Sequence, residues 1–199
     1  GDRIAAIDET GKFCSSQLLM PLLIDHLVRV KNLPGCVIKT VSGSDLMRLV
    51  AEDLGRTVLE LPVGFKNIAA EMQCRDVLIG GEESGGIGFG SHLPERDALF
   101  ACLFLLEALS ECGQSLGKIL DALQQQFGVS YYERIDLRLK DLDVQDRLKS
   151  FIEGTPPQNI LGQSVIDVTK TDGVKLRIGF MHWVMFRFSG TEPLLRIYC

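Results

Sequence analysis

Several classes of function are excluded by what this sequence does not contain. Its longest uninterrupted apolar run is the nine residues Ala98 to Leu106, under half of the ~20 that a membrane-spanning helix needs, so no membrane role is expected. It has no cluster of five or more Lys and Arg, and 21 basic residues against 26 acidic ones leave a formal charge of −5. A mildly acidic chain lacks the basic footprint that nucleic acid or an anionic bilayer requires. Cys14, Cys36, Cys74, Cys102, Cys112 and Cys199 never fall into the C-x-x-C spacing of zinc or redox chemistry. With no signal-peptide pattern visible, they read as reduced thiols, and the expected location is the cytoplasm. The three histidines, His26, His92 and His182, lie too far apart in sequence to suggest a histidine metal site.

What is present is an ordinary globular composition. With 199 residues, 46% of them hydrophobic, the chain can bury a core in one large domain or two small ones. It opens on Gly1-Asp2-Arg3 against an apolar strand and stops at Cys199 directly after a strand-like run. Both ends lead us to expect a fragment of a longer protein.

The periodicity alternates between strands and helices. Ile4 to Ile7 reads as a short buried strand ended by the turn Asp8-Glu9-Thr10-Gly11. Ser15 or Ser16 caps a helix with an apolar stripe at Leu18, Leu19, Leu22, Leu23, Leu27 and Val30, which Pro21 interrupts. Strands are expected at Cys36 to Val41, Arg56 to Leu61 and Asp76 to Ile79, with helices after Ser44 or Asp45 and near Phe65 to Gln73. That order implies helices covering a sheet. A glycine-rich loop from Gly80 to Gly90 comes next, then helices at Arg96 to Cys112 and Ser115 to Gln126. Beyond Gly128 the pattern changes to a strand (Tyr131 to Leu139), one helix (Val144 to Ile152), a loop from Thr155 to Asn159 and four strands ending at Tyr198. The fold class is therefore α/β, a mixed-sheet domain followed by a smaller α+β domain.

Two loops carry chemistry. Glycine makes up six of the eleven residues from Gly80 to Gly90, so a ligand can approach the backbone there. Glu82, Glu83 and the Ser84 hydroxyl suit neutral polyol groups, because carboxylates accept hydrogen bonds from sugar hydroxyls. Two adjacent acids and no following Lys make a poor phosphate cradle. The second loop, Arg187-Phe188-Ser189-Gly190-Thr191-Glu192-Pro193, offers a guanidinium, two hydroxyls and backbone amides to one tetrahedral anion, with Arg196 on the next strand as a second charge. Asp2 alone is too little for a magnesium site. Lys39 and Lys66 read as surface residues from residue type, and spacing does not decide whether Arg96, close to His92, faces a ligand or a helix cap.

Gly1-Asp2-Arg3 before a strand, Gly81-Glu82-Glu83-Ser84-Gly85-Gly86, and the Arg187 to Pro193 segment, in this order, resemble the α-D-phosphohexomutases, and within them the phosphoglucomutase/phosphomannomutase branch. The resemblance implies that residues 1–12 end a metal-binding second domain, 13–128 form a sugar-recognising third domain, and 129–199 form most of a phosphate-binding fourth. It implies Asp2 as one of three magnesium aspartates, and Arg3 and Arg96 as catalytic-site residues, Arg96 standing where relatives have lysine. Glu82 and Ser84 are carried over as sugar contacts, Lys39 and Gly64 as further substrate contacts, and Arg187, Ser189, Gly190, Thr191 and Arg196 as phosphate ligands.

The implied activity is interconversion of hexose 1-phosphate and hexose 6-phosphate through a phosphoserine, with Mg2+ and glucose 1,6-bisphosphate as cofactor and intermediate. The partner is a hexose phosphate. The chain contains neither the serine loop nor the other two aspartates, so it is expected to be inactive by itself. Gly86, where mannose-using relatives carry His, and Val63, where some glucomutases have Thr, slightly favour a glucose phosphate. Phe188 replaces a common Pro. A phosphoglucosamine mutase and a non-catalytic sugar-phosphate-binding module are the alternatives.

Overall fold

The computed structural model describes residues 1–199. The chain divides into two compact units, Gly1–Ser130 and Tyr131–Cys199. The first is built on a four-stranded sheet in the order β4-β3-β5-β6. β3 (Cys36–Thr40), β4 (Val58–Leu61) and β5 (Val77–Gly81) run parallel, and β6 (Ile87–Phe89) turns back antiparallel to β5. Helices α1 (Ser16–Arg29), α2 (Asp45–Asp53), α3 (Phe65–Cys74), α4 (Ala98–Cys112) and α5 (Leu116–Phe127) surround it.

Both faces of this sheet are covered. A side chain at Gly80 would strike Ile68 and Met72 of α3, while one at the next residue, Gly81, would strike Met20 of α1. Alternate residues of a strand point to opposite faces, so α3 and α1 lie on opposite sides of β5. Ile38, Phe65, Ile68 and Val77 form the core on the α3 side. On the other, Leu19, Leu23, Ile24 and Leu27 of α1 are fully buried, each contributing roughly 1.5–3 kcal/mol by leaving water. Pro21 lies inside α1 and is itself buried. Its ring denies that helix one interior hydrogen bond.

Side chains cap two of this unit's five helix starts, while α1, begun by Ser15, and α3 and α5 carry no side-chain cap bond. Ser44 Oγ accepts from Leu46 N at 3.1 Å, and Asp97 Oδ1 from Phe100 N at 2.9 Å; each cap is worth about 1 kcal/mol. No single helix is long and apolar enough to cross a membrane; only α4 and α5 together are, and the chain bends by 83° between them.

Three sequence expectations are corrected here. Ile4 to Ile7 is not a buried strand: only Ala6–Ile7 (β1) pairs, with Phe13–Cys14 (β2), and Ile7 is exposed. The edge of this two-stranded ribbon has no partner sheet to bury it. The glycine run is not one loop, because Gly80 and Gly81 belong to β5 and Ile87–Phe89 to β6. Only Glu82 to Gly86 turn between strands. Third, Asn159, expected at the end of a loop, begins a small hairpin, β8 (Asn159–Ile160) with β9 (Gln163–Ser164).

The second unit carries a five-stranded antiparallel sheet, β10-β11-β12-β13-β7, with β7 at Arg134–Arg138, β10 at Asp167–Thr169, β11 at Val174–Arg177, β12 at Trp183–Phe188 and β13 at Leu194–Tyr198. Its helix α6 (Leu142–Gly154) is capped by Asp141, whose Oδ1 accepts from Val144 N at 2.8 Å.

Candidate functional site

The acidic turn of the first unit is a tight hairpin. Glu82 N donates to Gly86 O at 2.9 Å and Gly85 N to Glu82 O at 3.2 Å. Gly85 takes φ +97°, and a side chain there would also meet the carbonyl of Ile4 at 2.6 Å. Only glycine satisfies both demands. Glu82 is 6% exposed, and its Oε1 accepts from Gly64 N at 2.9 Å. Burial pushes the Glu82 carboxyl above its ordinary value; the Gly64 N–H pulls it back, Glu83 raises it, and Arg96 and Arg3 lower it. A carboxylate held in dry surroundings by one donor is a strong, fixed acceptor for a hydroxyl.

The N-terminal segment is stitched to this turn. Ile4 N donates to Gly85 O at 3.0 Å, and Ala98 N to Gly1 O at 3.0 Å. Asp2 and Arg3 therefore stand beside the acidic turn and the start of α4. Arg96 Nη1 lies 3.3 Å from Asp2 Oδ2, its Nε 3.2 Å from Glu95, and its guanidinium 5.7 Å from the Phe65 ring centroid. A side chain at Gly86 would meet the Arg96 stem at 2.5 Å and Glu82 Oε2 at 3.5 Å. Arg96, Asp2, Arg3, Glu82 and the half-buried Ser84 thus belong to one locality. The neighbouring His92 stacks on Phe100 with centroids 4.5 Å apart and bonds Asp97 at 3.1 Å.

Two expected contacts are placed differently. Lys39 is not on the surface: it is fully buried, its Nζ donating to Gly43 O at 3.1 Å and to the Glu60 carboxylate. The interior strand position leaves an ammonium no water, so an internal partner takes it. Gly64 spends its N–H on Glu82, which makes it a support of the acceptor. Lys66 sits on the exposed side of the α3 start. Sequence reasoning missed Ser16, Gln17, Thr40 and Ser42, whose polar atoms reach the turn or its supports; no motif marks such residues, since Ser16 reads only as a cap.

Metal ligation is not assembled within this chain. No group of three or more His, Cys, Asp and Glu side chains converges on a point, and Asp2 is ion-paired with Arg96. These residues do not fit a magnesium site by themselves.

In the second unit, Arg187 and Arg196 are register partners on β12 and β13, so both side chains leave the same face of the sheet. Arg187 Nε donates to Asp172 Oδ2 at 2.9 Å, an ion pair that the sequence did not signal. Arg196 Nε lies 4.0 Å from Asp136 and lines, with Arg138, Glu192 and Pro193, a cleft of about 450 Å³. The β12–β13 turn is held by Ser189, whose Oγ accepts from Thr191 N at 3.4 Å and Glu192 N at 3.3 Å. Two amides thus converge on one oxygen, both bonds being long. Gln145 of α6 braces the turn from within, donating to Ser189 O at 2.8 Å and accepting from Leu194 N at 2.9 Å. Gly190 and Thr191 are exposed at its tip.

Comparison with known proteins fits these observations. The family described as phosphoglucomutase/phosphomannomutase, alpha/beta/alpha domain III, matches residues 15–127. A phosphoglucomutase/phosphomannomutase of Thermococcus kodakarensis is 28% identical over 197 residues, 99% of this chain and 40% of the relative. A phosphoglucosamine/phosphogalactosamine mutase of Sulfurisphaera tokodaii is 30% identical, over 98% of this chain and 41% of its own. A solved structure from Thermus thermophilus, assigned as a phosphomannomutase, superposes with a TM-score of 0.78 at 30% identity, covering all of this chain and 40% of that one. The chain thus spans about 40% of the length of the relatives it matches. With its sheet covered on both faces and its acidic glycine turn in place, the chain belongs to the phosphoglucomutase/phosphomannomutase family.

Proposed function

We propose that this chain is the sugar- and phosphate-recognising part of a cytoplasmic hexose-phosphate mutase, an intramolecular phosphotransferase acting on a glucose phosphate and, secondarily, a mannose phosphate. In this reading residues 1–12 end the second domain, 13–128 are the third, and 129–199 belong to the fourth. The observation that carries it is Glu82: a buried carboxylate with one oxygen pinned by Gly64 N–H, set beside Ser84, Arg96 and the N-terminal Asp2–Arg3. Such an acceptor suits hydroxyls and repels phosphate. The Arg187 turn supplies the complementary half, because a phosphate oxygen is a stronger acceptor than Ser189 Oγ for the two converging amides.

Each residue then has a task in a mutase that must hold its substrate in two orientations. Arg187, Arg196, Ser189, Gly190 and Thr191 grip the phosphate not being transferred. Glu82 and Ser84 accept from ring hydroxyls either way up. Arg3 and Arg96 neutralise charge near the reacting end. Arg96 does not donate a proton there, since a guanidinium keeps its charge throughout the working range. Structures of the same fold from Aspergillus fumigatus N-acetylphosphoglucosamine mutase hold GlcNAc-6P with magnesium, or glucose 1,6-bisphosphate. They support magnesium and a bisphosphate in the complete enzyme. The amino-sugar relatives favour a second reading, a phosphoglucosamine mutase.

Calorimetric titration of the chain with glucose 1,6-bisphosphate tests the proposal. Saturable binding is expected, weakened about 30–100-fold by Arg187→Ala, the loss of a charge-assisted pair. Binding indifferent to Arg187→Ala would refute the phosphate assignment. Tighter binding of glucosamine 1-phosphate than of glucose 1-phosphate would favour the second reading.

A further inference from the structure

The segment from Lys39 to Asp45 is buried without interruption, although five of its seven residues, Lys39, Thr40, Ser42, Ser44 and Asp45, are polar or charged. Buried polar groups are costly unless they are bonded. Here much of the bonding leads to the acidic turn. Gln17 of α1 bridges the segment, donating to Ser42 O at 3.1 Å and accepting from Ser44 N at 2.7 Å. Ser42 Oγ then donates to Glu83 Oε2 at 2.7 Å, with Thr40 Oγ1 at 3.5 Å from the same oxygen. Ser16 Oγ reaches the carbonyls of Glu83 at 2.8 Å and Glu82 at 3.2 Å.

The two neighbouring acids are therefore held by different elements. Glu82 is fixed by the α3 start through Gly64, and Glu83 by the β3 end through Ser42. We propose that Ser42 and Glu83 are a positioning pair, whose hydrogen bond turns Glu83 away and leaves Glu82 as the carboxylate that meets the sugar. This rests on reading Glu82 as the sugar acceptor. Without the bond, Glu83 is released to rotate beside Glu82, and the turn loses its tie to β3. The charge of Glu83 also acts on Glu82, alongside Gly64 N–H from α3, Arg96 from the α4 approach and Arg3 from the N-terminal segment. It opposes Glu82 ionisation.

Two measurements on the full 199-residue chain test this. In the first, affinities for glucose 1-phosphate and inorganic phosphate are compared in wild type, Ser42→Ala, Glu83→Ala and the double variant. Ser42→Ala is expected to weaken glucose 1-phosphate about tenfold, the scale of one net hydrogen bond, and to leave inorganic phosphate unchanged. In the Glu83→Ala background it should do nothing more. Equal losses for both ligands, no loss, or full additivity would overturn the pair. In the second, the Glu82 carboxyl is titrated by ¹³C NMR, its signal identified by its absence in Glu82→Gln. Glu83→Gln keeps an acceptor for Ser42 but removes the charge, and should move the titration to lower pH. Ser42→Ala, which frees Glu83 to rotate beside Glu82, should move it to higher pH, and a titration unmoved by Ser42→Ala counts against the pair. If wild type binds phosphate but not glucose 1-phosphate, the sugar-acceptor reading is what fails. The titration needs no ligand and then decides by itself whether Glu83 acts on Glu82.

Discussion

The two candidate recognition elements are both hairpin turns, yet they are made in opposite ways. Glu82 to Gly86 join β5 to β6, and Ser189 to Pro193 join β12 to β13. The first is packed: Glu82, Gly85 and Gly86 are buried, and three hydroxyls and an amide bind it to α1, β3 and α3. The second is exposed from Gly190 to Glu192 and rests on one serine and one glutamine. The difference follows from the chemistry assigned to each. Neutral hydroxyls are weakly attractive ligands, so their acceptors must be fixed and dry before they arrive. An anion is drawn by charge over a longer range, and a looser turn next to Arg187 suffices.

Glycine substitution separates the two hairpins by the largest effect. A side chain at Gly90, just past β6, would lie 1.6 Å from the Val77 carbonyl oxygen, whereas one at Gly190 would meet nothing within 4 Å. Backbone cannot yield as a side-chain end can. Gly90→Ala is expected to cost more than about 4 kcal/mol and to disrupt the first unit, while Gly190→Ala stays within about 0.5 kcal/mol. Far-UV circular dichroism during thermal unfolding reads both. Equal stabilities would mean that β5 and β6 are not held as closely as described.

Legibility in the sequence differs between the turns as well. β5, β12, β13 and the helices near them are readable, because apolar periodicity and a cap such as Ser44 are local signals, whereas β6 lies inside the run expected as a loop. The acidic turn is recognisable by its residues, but its glycines read as one flexible loop. Gly80 and Gly81 are instead strand positions where α3 and α1 press on the sheet. Close helix approach is a tertiary fact, and glycine's composition signal is the same in both cases. Lys39 escapes sequence reasoning for a similar reason: its partner Glu60 is set by strand pairing, Lys39 lying opposite Glu60 in the β3–β4 register. Asp172 beside Arg187 and Gln145 beneath Ser189 come from other elements, and no spacing announces them.

Gln145 gives the next effect in size. It is 5% exposed and satisfies both Ser189 O and Leu194 N. Gln145→Ala takes the side-chain donor from Ser189 O and leaves Leu194 N with Glu192 O alone, a loss of about 1–3 kcal/mol. Trp183, the only tryptophan, lies on β12 in the same unit. Urea unfolding followed by its fluorescence should show the lowered midpoint. If this turn depends on so few supports and holds phosphate as proposed, the same variant should also weaken phosphate binding. An unchanged midpoint would show that the exposed turn is held by something other than this brace.

The smallest effect is a pH dependence of opposite sign in the two units. Burial first, then Glu83, raises the Glu82 carboxyl above the ordinary 4.5. Between 4.5 and that raised value the folded chain keeps a proton that the unfolded chain has released, so stability falls as pH rises. Glu82→Gln stands in for the protonated acid. It should match wild type in acid and become the more stable of the two as pH rises toward neutrality, even while sugar binding weakens. Asp136 in the second unit behaves in reverse. The Arg134 guanidinium, bonded at 2.7 Å through both nitrogens, holds its carboxyl below the ordinary 3.8. Its contribution is present above 3.8 and is lost as pH falls through the lowered value. Asp136→Asn should therefore cost stability at neutral pH and nothing in strong acid. Melting temperatures of both variants against wild type from acid to neutral pH give the two slopes. Slopes of the same sign would mean that Glu82 is not desolvated in the folded chain, and the contrast between a dry acceptor and a solvated charge would lose its physical basis.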